Sequence, residues 1–501
     1  MIVLSRAVLA EGQIDVAHAS PSPRPIEILQ IGEGVFLRGF VDWMVDVANE
    51  KGVFRGGVAV AAPRRHPHPP PLAAQDCLYT VLLRGRVGGV DVAERRVVTA
   101  VQAALDPYAQ WDALLQLAGS RELRFVVSNT TEAGIADVPE RYDRNLCPTS
   151  FPAKAAAILK ARYDALGGGE APGLVFLPCE LIEANGATLR CIVLEHARRW
   201  EFDPAFADWV AEKNRFLDTL VDRIVSGYPA MEAEALFAEW GYRDPLAIVA
   251  EPFHLWVIEG DIAAELPLAE AGLNVIVTDD LKPYRDRKLH ILNGAHTATA
   301  LAAFLAGLDT VEEMVNDPLF SRALETLLFD EIAPRVRLPD ADRYAESVLE
   351  RFNNPFIRHE LISISLNSVS KWRVRILPTV KDAVAGGAGA PPLLAFSLAA
   401  LMWFYRGRIE GDAYLGSRDK GGDYPIRDDS QILGIMADRW GSAESGDAGE
   451  IAMLLMADAR LWGENLISVG SLGTQARAAI EAIERRGVRA ALETLLPVTG
   501  T

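Results

Sequence analysis

Residues 26–62 read IEILQIGEGVFLRGFVDWMVDVANEKGVFRGGVAVAA, and this stretch decides the fold of the N-terminal half. Its first six residues form an apolar run with β-branched side chains, which is typical of a buried strand. Gly32-Glu33-Gly34 and an amphipathic stretch over residues 36–50 follow, and residues 58–62 (VAVAA) form a second strand. The length between the two strands suits a βαβ crossover, so the strands are predicted to be parallel.

The alternation of strand and helix continues to about residue 282. Runs that alternate apolar and polar residues flank Gly88-Gly89 and predict a hairpin over residues 78–84 and 90–99. Short apolar runs predict further strands at residues 123–127, 173–177 and 275–277, the last of the set. Strands that alternate with helices predict an α/β fold with a mostly parallel, doubly wound sheet of the Rossmann type.

The rest of the chain has a different pattern. Residues 1–24 end in a turn-rich stretch and are expected to form a flexible N-terminal segment. From residue 283 to residue 501 the period is helical, in Ala-, Leu- and Glu-rich segments separated by Gly or Pro, which predicts a mostly α-helical C-terminal domain. Within that domain, residues 385–392 and 411–429 are predicted to be loops.

Composition excludes several classes of protein. The 50 Lys and Arg residues against 68 Asp and Glu give a net charge of −18, which disfavours nucleic acid as a partner. The most apolar run, residues 393–405, is shorter than a membrane span and predicts a buried helix, so no membrane partner is expected. Four cysteines without a CxxC pair suit free thiols, and a cytoplasmic location is expected. The oligomeric state stays open.

The glycine turn, Gly32-Glu33-Gly34, is the first candidate site. Glycines between a strand and a helix let backbone N–H groups approach a pyrophosphate at the helix N-terminus. The dinucleotide-binding fingerprint G-x-G-x-x-G is incomplete because Leu37 occupies its third glycine position. The pattern therefore fits a purely structural turn about as well as it fits a dinucleotide site. The second strand ends in Arg64-Arg65 without a carboxylate, which would suit a 2′-phosphate, so NADP is not excluded beside NAD.

A second candidate is the pattern K-x-x-x-x-N-x-x-H formed by Lys288, Asn293 and His296. On an ideal α-helix, Asn293 lies ~140° and His296 ~80° from Lys288, so the three share one broad face. A lysine ammonium removed from water can pass a proton near neutral pH, and an amide with an imidazole can polarise the same oxygen. A polar face between helices explains the spacing equally well. The sequence contains no metal-binding motif, and no metal is predicted.

Six segments together resemble a known family. They occur in the family's order, with the sequences IGEGVFLRGFVDW (31–43), VSNTTEAGI (127–135), LPCELIEANG (177–186), TLVDRIVSGYP (219–229), EPFHLWVIEG (251–260) and KPYRDRKLHILNGAHTA (282–298). The chain is similar to the polyol-specific long-chain dehydrogenases, the mannitol dehydrogenase family, from about residue 25 to its end. The resemblance implies a dinucleotide-binding domain over residues 25–282, a substrate and catalytic domain over residues 283–501, and an active site between them.

The resemblance also assigns roles to residues. It implies that Lys288 is the catalytic acid and base, with Asn293 and His296 beside the substrate oxygen. It places the cofactor NAD at the residues Gly32, Gly34, Phe36, Asn129, Thr130 and Glu132. It places a small sugar-acid substrate at Asp222, Lys371 and Arg373. If residues 371–375 (KWRVR) formed a strand, their three cations would share one face, whereas a helix would spread them.

Departures from the family pattern narrow the expected activity. Leu181 stands where the mannitol branch has an Asn that helps hold the oxygen, and Val35 replaces an Asn frequent in the glycine turn. The sequence around Leu181 (CEL) resembles that of the family branch that reduces the hexuronate ketone D-tagaturonate to D-altronate in hexuronate catabolism, and this resemblance implies the same activity here. The alternatives are a fructuronate reductase or a mannitol-type polyol dehydrogenase of the same family and, more remotely, a dinucleotide-binding sensor without catalytic activity.

Overall fold

The stretch over residues 26–62 forms the strand, turn, helix and strand that its pattern predicts. In the computed structural model, Ile26–Ile31 (β1) and Gly57–Ala61 (β2) are parallel neighbours, and residues 35–50 between them are helical. The structure describes residues 2–14, 16, 19, 22–65, 68, 70–131, 133–418, 422–441 and 447–496. The chain divides into two compact units, residues 1–281 and 282–501.

The first unit is built on a six-stranded sheet in which neighbouring strands are parallel. After β1 and β2, its strands are Val101–Leu105 (β3), Phe125–Ser128 (β4), Val175–Pro178 (β5) and Arg215–Phe216 (β6). Their order is β3-β2-β1-β4-β5-β6, so the chain builds outward to one edge and then returns to the other side of β1. The doubly wound sheet is therefore confirmed, and its crevice for ligands lies at the carboxyl ends of β1 and β4.

Helices cover both faces of this sheet because successive strand residues point to opposite sides. Ile28 of β1 packs in the apolar layer that holds Met44, and Leu29 packs in the opposite layer, which holds Ile158. The helices described in this unit are Arg6–Ala10, Val35–Leu37, Arg38–Asp42, Trp43–Glu50, Pro71–Ala74, Trp111–Ala118, Phe151–Ala165, Gly168–Glu170, Asn185–Arg199, Pro204–Lys213, Ala233–Trp240 and Leu268–Ala271.

The predicted hairpin around Gly88-Gly89 is present. Tyr79–Val87 runs antiparallel to Val90–Val98, and both turn glycines have the positive φ, 58° and 77°, that a two-residue hairpin turn requires. The hairpin belongs to a four-stranded sheet with Val225–Gly227 and Ile248–Ala250.

The prediction that Val275–Thr278 is the last strand of the main sheet is wrong. The strand pairs in parallel with Leu255–Glu259, which in turn pairs antiparallel with Thr219–Asp222, in a separate three-stranded sheet. A short apolar run indicates a strand, but it does not specify the partner strand, because pairing depends on the rest of the fold.

The segment before residue 25, expected to be flexible, contains regular structure among its described residues. Ile2–Val3 pairs in parallel with Tyr242–Arg243, and Arg6–Ala10 is a short helix. The Arg6 guanidinium donates to Val101 O at 2.8 Å and to Asp76 O at 3.1 Å. These contacts attach the described part of the segment to the first unit.

The second unit is mostly helical, as the sequence predicts. Its described helices are Lys282–Arg287, Lys288–Asn293, Gly294–Leu305, Val311–Asn316, Pro318–Thr326, Leu327–Ile332, Ala333–Arg335, Ala341–Phe352, Leu361–Ile364, Ser368–Arg375, Leu377–Ala385, Pro392–Phe404, Ser430–Gly441, Ala448–Ala457, Ala459–Trp462, Leu466–Ser468 and Leu472–Glu493. Across the described residues, no helix has the length and apolar character needed to cross a membrane.

Residues 411–429, predicted to be a loop, contain most of a small antiparallel sheet instead. Its strands are Gly407–Glu410, Ala413–Arg418 and Gly422–Pro425, and residues 419–421 lie outside the described part. Buried tyrosines anchor the strands: Tyr414 donates to Tyr405 O at 2.5 Å and Tyr424 donates to Phe404 O at 2.9 Å. Glycine and aspartate favour a loop locally, but these tertiary contacts decide the outcome.

The apolar helix Pro392–Phe404 is buried, as predicted, and receives its N-terminal cap from elsewhere in the chain. Pro391, its own N-cap residue, offers no side-chain acceptor. The Glu331 carboxylate accepts from Leu393 N at 2.8 Å and from Leu394 N at 2.9 Å. Burial raises the pKa of Glu331 to about 7. The helix N-terminus is thus satisfied by a residue 62 positions earlier than Leu393.

Candidate active site

The glycine turn lies where β1 and β4 end side by side. Gly32 has φ 139°, in the region that favours glycine. A Cβ atom at this position would lie 2.9 Å from Asn129 O and 3.0 Å from Leu37 Cδ1. Glycine therefore allows the ends of the two strands to approach each other at the crevice of the doubly wound sheet.

Gly34 sits at the start of the helical segment that spans residues 35–50. It is the N-cap, with φ −65° and ψ 160°, and a Cβ atom there would have no neighbour within 4 Å. Phe36 stacks on Phe40 with ring centroids 5.0 Å apart, which fixes the first turn. The first N–H groups of a helix lack intrahelical acceptors and attract anions, so open space at Gly34 suits a phosphate group.

We expect Gly32→Ala and Gly34→Ala to have different effects. The first variant forces alanine into an unfavourable φ and against Asn129 O, so the free energy of unfolding should fall by about 1–3 kcal/mol. The second should lower the free energy of unfolding by less than about 1 kcal/mol, because alanine is a poorer N-cap than glycine but its Cβ atom meets no neighbour. It should weaken NADH binding, because its methyl group occupies the open space. Thermal unfolding and fluorescence titration with NADH measure the two effects. Equal stability of both variants would contradict this assignment.

A buried polar cluster lies behind the glycine turn. Tyr79 OH donates to Asp42 Oδ2 at 3.0 Å, and Gln30 Nε2 donates to Gly32 O at 3.0 Å. Gln30 Nε2 also lies 3.4 Å from Asp42 Oδ2. Burial raises the pKa of Asp42 to about 7. This carboxyl group belongs to the π-helical turn Arg38–Asp42, so the cluster connects that turn to the glycine turn.

Glu180 organises the segment that follows β4, and the sequence analysis did not identify it. Its Oε1 accepts from Thr130 N at 3.0 Å and from Thr130 Oγ1 at 2.9 Å, and its Oε2 accepts from Ser128 Oγ at 3.0 Å. Asn129 Nδ2 donates to Cys179 O at 2.8 Å, directly before Glu180. Burial raises the pKa of Glu180. The available signal was its position just after β5, at the same sheet edge as Asn129 and Thr130.

The turn after Thr130 is tightly constrained. Thr131 has φ 143°, which is strained for a β-branched residue. A Cβ atom at Gly134 would lie 1.9 Å from Thr130 Oγ1, so only glycine fits there. Glu132, predicted to contact the cofactor, lies outside the described residues. Leu181, on the neighbouring segment, is 60% exposed.

Asp222, predicted to contact substrate, is buried at the end of the strand Thr219–Asp222. Arg223 beside it donates through Nε to Glu251 O at 2.9 Å and through Nη1 to Gly39 O at 2.7 Å. The Arg223 guanidinium also lies 4.2 Å from the Trp43 ring centroid. Arg223 therefore fixes the backbone that carries Asp222 against the helix that follows the glycine turn.

The two arginines after β2 are exposed. The Arg65 guanidinium lies 5.3 Å from the Tyr108 ring centroid. Lys154, which is buried, donates to Pro63 O at 3.1 Å and holds the turn from which Arg64 and Arg65 extend. Arg65 is thus in contact with an aromatic ring, and Arg64 is exposed beside it.

In the second unit, Lys288, Asn293 and His296 lie on one continuous run of helix whose geometry differs from the ideal α-helix. Lys282–Arg287 is α-helical, Lys288–Asn293 is a π-helical segment, and Gly294–Leu305 is α-helical again. A π-turn closes its hydrogen bonds from i to i+5, so Asn293 lies closer to the face of Lys288 than the ~140° expected for an α-helix. Single π-turns occur often at functional sites.

His296 is enclosed by aromatic rings. Its ring stacks on Phe352, with centroids 3.9 Å apart and planes at 4°, and meets His359 edge-on at 5.2 Å. Its Nε2 is buried, and no described residue forms a hydrogen bond with it. Burial, followed by the charge of His359, holds the pKa of His296 well below its ordinary value. A neutral imidazole with an available nitrogen is suited to bind a hydroxyl or carbonyl oxygen.

Cationic side chains surround this histidine. The charges of Arg351, Arg375 and Lys371 each lower the pKa of His296 further. Lys371 and Arg375 are one helical turn apart on Ser368–Arg375, so they share a face. Arg373, predicted with Lys371 to bind substrate, is exposed on another side of this helix, where its Cδ faces Gly463. The segment is a helix, so the three cations of KWRVR do not form one cluster.

A cavity of about 560 Å³ lies on a different flank of the same helical run. Its lining includes Asp286, Leu289 and His290, together with Arg335 and Val374, but not Lys288. This cavity is therefore not centred on the predicted catalytic residues. Among the described residues, no group of three or more His, Cys, Asp or Glu side chains is placed to hold a metal ion.

Two family models match the chain. The mannitol dehydrogenase Rossmann domain matches residues 26–270, and the mannitol dehydrogenase C-terminal domain matches residues 280–483. The chain is also similar to the altronate oxidoreductase of Yersinia pestis, with 42% identity over 475 residues that cover 93% of this chain and 96% of that protein. The altronate oxidoreductase of Halalkalibacterium halodurans is 41% identical over 486 residues, covering 96% and 95%.

Two solved structures share the fold. A D-sorbitol dehydrogenase in substrate-free form superposes with a TM-score of 0.81 at 24% identity, covering 98% of this chain and 100% of that one. The mannitol 2-dehydrogenase of Pseudomonas fluorescens, in a ternary complex with NAD and D-mannitol, gives a TM-score of 0.69 at 23% identity and covers 99% of each chain. At these identities the likeness concerns the fold alone.

Proposed function

This chain belongs to the mannitol dehydrogenase family, and we propose that it reduces D-tagaturonate to D-altronate, reversibly and with NADH. Relatives named altronate oxidoreductase at 41–42% identity over nearly the whole chain support an oxidoreductase that acts on a CH–OH group of a sugar acid. Leu181, at the position where the mannitol branch has an Asn, supports a uronate over mannitol.

The cofactor assignment is supported by the glycine turn. Gly32 brings the ends of β1 and β4 together, and the open space at Gly34 faces the start of a helix, so this site fits the pyrophosphate of NAD. Asn129 and Thr130 are fixed at the same sheet edge by Cys179 O and Glu180. The match to the mannitol dehydrogenase Rossmann domain and the NAD in the ternary complex of the mannitol 2-dehydrogenase support NAD as the cofactor.

The observation that carries the proposed mechanism is the environment of His296, on the helical run of Lys288 and Asn293. NADH, when bound, supplies a hydride to the keto carbon. Lys288 donates a proton to the oxygen of that carbon in reduction, and accepts it in oxidation. The Asn293 amide and the neutral His296 imidazole hold the same oxygen, which stabilises the negative charge that develops on it. This chemistry needs a proton donor and oriented dipoles, both of which these three side chains supply.

The test is a substrate panel of D-tagaturonate, D-fructuronate and D-fructose, each with NADH and with NADPH. We expect the highest kcat/KM for D-tagaturonate with NADH. A higher kcat/KM for fructuronate or fructose would assign the chain to another activity of the family. NADH binding without turnover of any ketose would indicate a non-catalytic sensor, and a higher kcat/KM with NADPH would reverse the cofactor assignment.

A further inference from the structure

We propose that Arg375 binds the carboxylate of the sugar-acid substrate and thereby selects acids over neutral ketoses. This inference rests on the proposed function, because it concerns the end of the substrate remote from the ketone. Sequence reasoning pointed to Lys371 and Arg373 for substrate binding. The structure favours the third cation of the KWRVR stretch.

Arg375 is fixed directly beside the helical run that carries Lys288. Its carbonyl oxygen is hydrogen-bonded to His290 Nδ1 at 2.8 Å. A Cβ atom at Gly294 would lie 3.6 Å from that same oxygen, so the two backbones are close to each other. The Arg375 backbone is thus held between two positions that flank Asn293 in the sequence.

The Arg375 side chain extends toward the residue after His296. Its Nη1 donates to Thr297 Oγ1 at 3.1 Å, and Thr297 Oγ1 in turn donates to Asn293 O at 2.8 Å. The charge of Arg375 lowers the pKa of His296 more than that of Lys371 does. The guanidinium is therefore oriented by the same helix that positions Asn293 and His296.

Arg375 also lacks a counter-charge within the described part of the chain. No carboxylate there forms an ion pair with it, and burial alone lowers its pKa. Among the sheltered arginines, Arg287 pairs with Asp340 and Arg96 pairs with Asp46 at 2.8 Å, whereas Arg162 and Arg223 each donate to several backbone carbonyl oxygens. Arg375 has neither arrangement, because within the described residues its guanidinium donates to the Thr297 hydroxyl alone. An anionic ligand would supply the missing charge.

Lys371 is less suited to this task. Its ammonium donates to Ile364 O at 3.0 Å. Burial and then the charge of Arg375 lower the pKa of Lys371, and the charge of Asp428 opposes them, so Lys371 has an acidic neighbour that Arg375 lacks. Arg375 presents a planar fork of donors that matches the two oxygens of a carboxylate, whereas a lysine offers a single point charge. We therefore assign the substrate carboxylate to Arg375 and the substrate hydroxyl groups next to it to Lys371.

The experiment compares Arg375→Gln with Lys381→Gln. Both variants remove one positive charge, but Lys381 lies exposed on the next helix, Leu377–Ala385, where it pairs with Glu464 at 2.8 Å. Arg375→Gln should raise KM for D-tagaturonate about 10–100-fold, as expected for the loss of a charge-assisted hydrogen bond. Lys381→Gln should leave KM within about twofold. A comparable rise in both variants would mean that long-range charge, not a contact, is responsible, and would overturn the proposal.

Product inhibition separates recognition of the carboxylate from general damage. D-altronate carries the carboxylate, and altritol has an alcohol in its place. The inhibition constant for altronate should rise about 10–100-fold in Arg375→Gln, while that for altritol stays near the wild-type value. An equal loss of affinity for both inhibitors would show that Arg375 does not bind the carboxylate.

Two further measurements keep the outcomes distinct. Thermal unfolding and NADH titration check that Arg375→Gln is folded, and Arg375→Lys, which keeps the charge, should recover part of the affinity for altronate. If the wild type turns over no hexuronate, the proposed function fails. If the wild type reduces D-tagaturonate and Arg375→Gln keeps a wild-type KM, only the role of Arg375 fails.

Discussion

Replacement of Lys288 by alanine is expected to lower kcat for D-tagaturonate by about 10²–10⁴-fold, because a positioned general acid contributes about that much to the rate. NADH binding should be largely kept, since the proposed pyrophosphate site is the glycine turn and not Lys288. Steady-state kinetics measure the first effect and fluorescence titration the second. Lys288→Arg should be nearly as slow, because a guanidinium keeps the charge but cannot give up its proton.

Lys282→Ala is the matched control for Lys288→Ala. Lys282 begins the same helical run and is exposed, where it is paired with Asp286. Its removal should leave kcat within about twofold, because surface ion pairs contribute little. A Lys288→Ala variant with near-wild-type kcat would show that this lysine is structural and that another group moves the proton.

Asp42→Asn is expected to change how stability depends on pH. Burial raises the pKa of Asp42 from 3.8 to about 7, so the folded protein retains a proton that the unfolded chain loses. This retained proton adds up to about 4 kcal/mol to the free energy of unfolding. The full contribution is present below pH 4, and it is lost as the pH rises toward 7. Between pH 5 and pH 8 the wild type should therefore lose about 2–3 kcal/mol that the Asp42→Asn variant, with its neutral amide, keeps.

Urea unfolding at the two pH values measures this difference. Asp46→Asn, in the next turn of the same helical segment, is the contrasting variant. The Asp46 carboxylate pairs with Arg96 at 2.8 Å and accepts from Thr99 N at 2.7 Å, so its removal should lower the free energy of unfolding. A wild type and an Asp42→Asn variant with parallel pH profiles would show that the Asp42 carboxyl group is ionised in the folded state.

Local patterns predicted the elements better than their arrangement. The strand at residues 26–31 and the hairpin around Gly88-Gly89 follow from period-two patterns and turn glycines, which are properties of the local sequence. The assignment of Val275–Thr278 to the main sheet failed because pairing is decided by distant segments. The small sheet that begins at Gly407 was missed because Tyr414 and Tyr424 are held by the backbone of the apolar helix, which lies outside a local window.

The arrangement of the candidate active site was also not predictable from local patterns. A helix and a strand differ in which residues of KWRVR share a face, so the choice between Arg373 and Arg375 required the structure. The π-turn over Lys288–Asn293 cannot be predicted from a helical pattern with 3.6 residues per turn, because a π-turn has more residues per turn than an α-helix. Glu180 could not be predicted from its local sequence, because its three hydrogen bonds arise only when β4 and β5 are adjacent.

The distant cap of the apolar helix has a consequence for how the chain folds as it is synthesised. Glu331 leaves the ribosome before residues 392–404, so the acceptor for Leu393 N and Leu394 N already exists when this very hydrophobic helix emerges. A chain truncated or circularly permuted between residues 332 and 391 would present the helix without its cap and without Gly294–Leu305, one of the helices that it packs against. Exposed apolar segments of this kind promote aggregation of nascent chains. The order of the two segments along the chain thus makes the cap available before the apolar helix is synthesised.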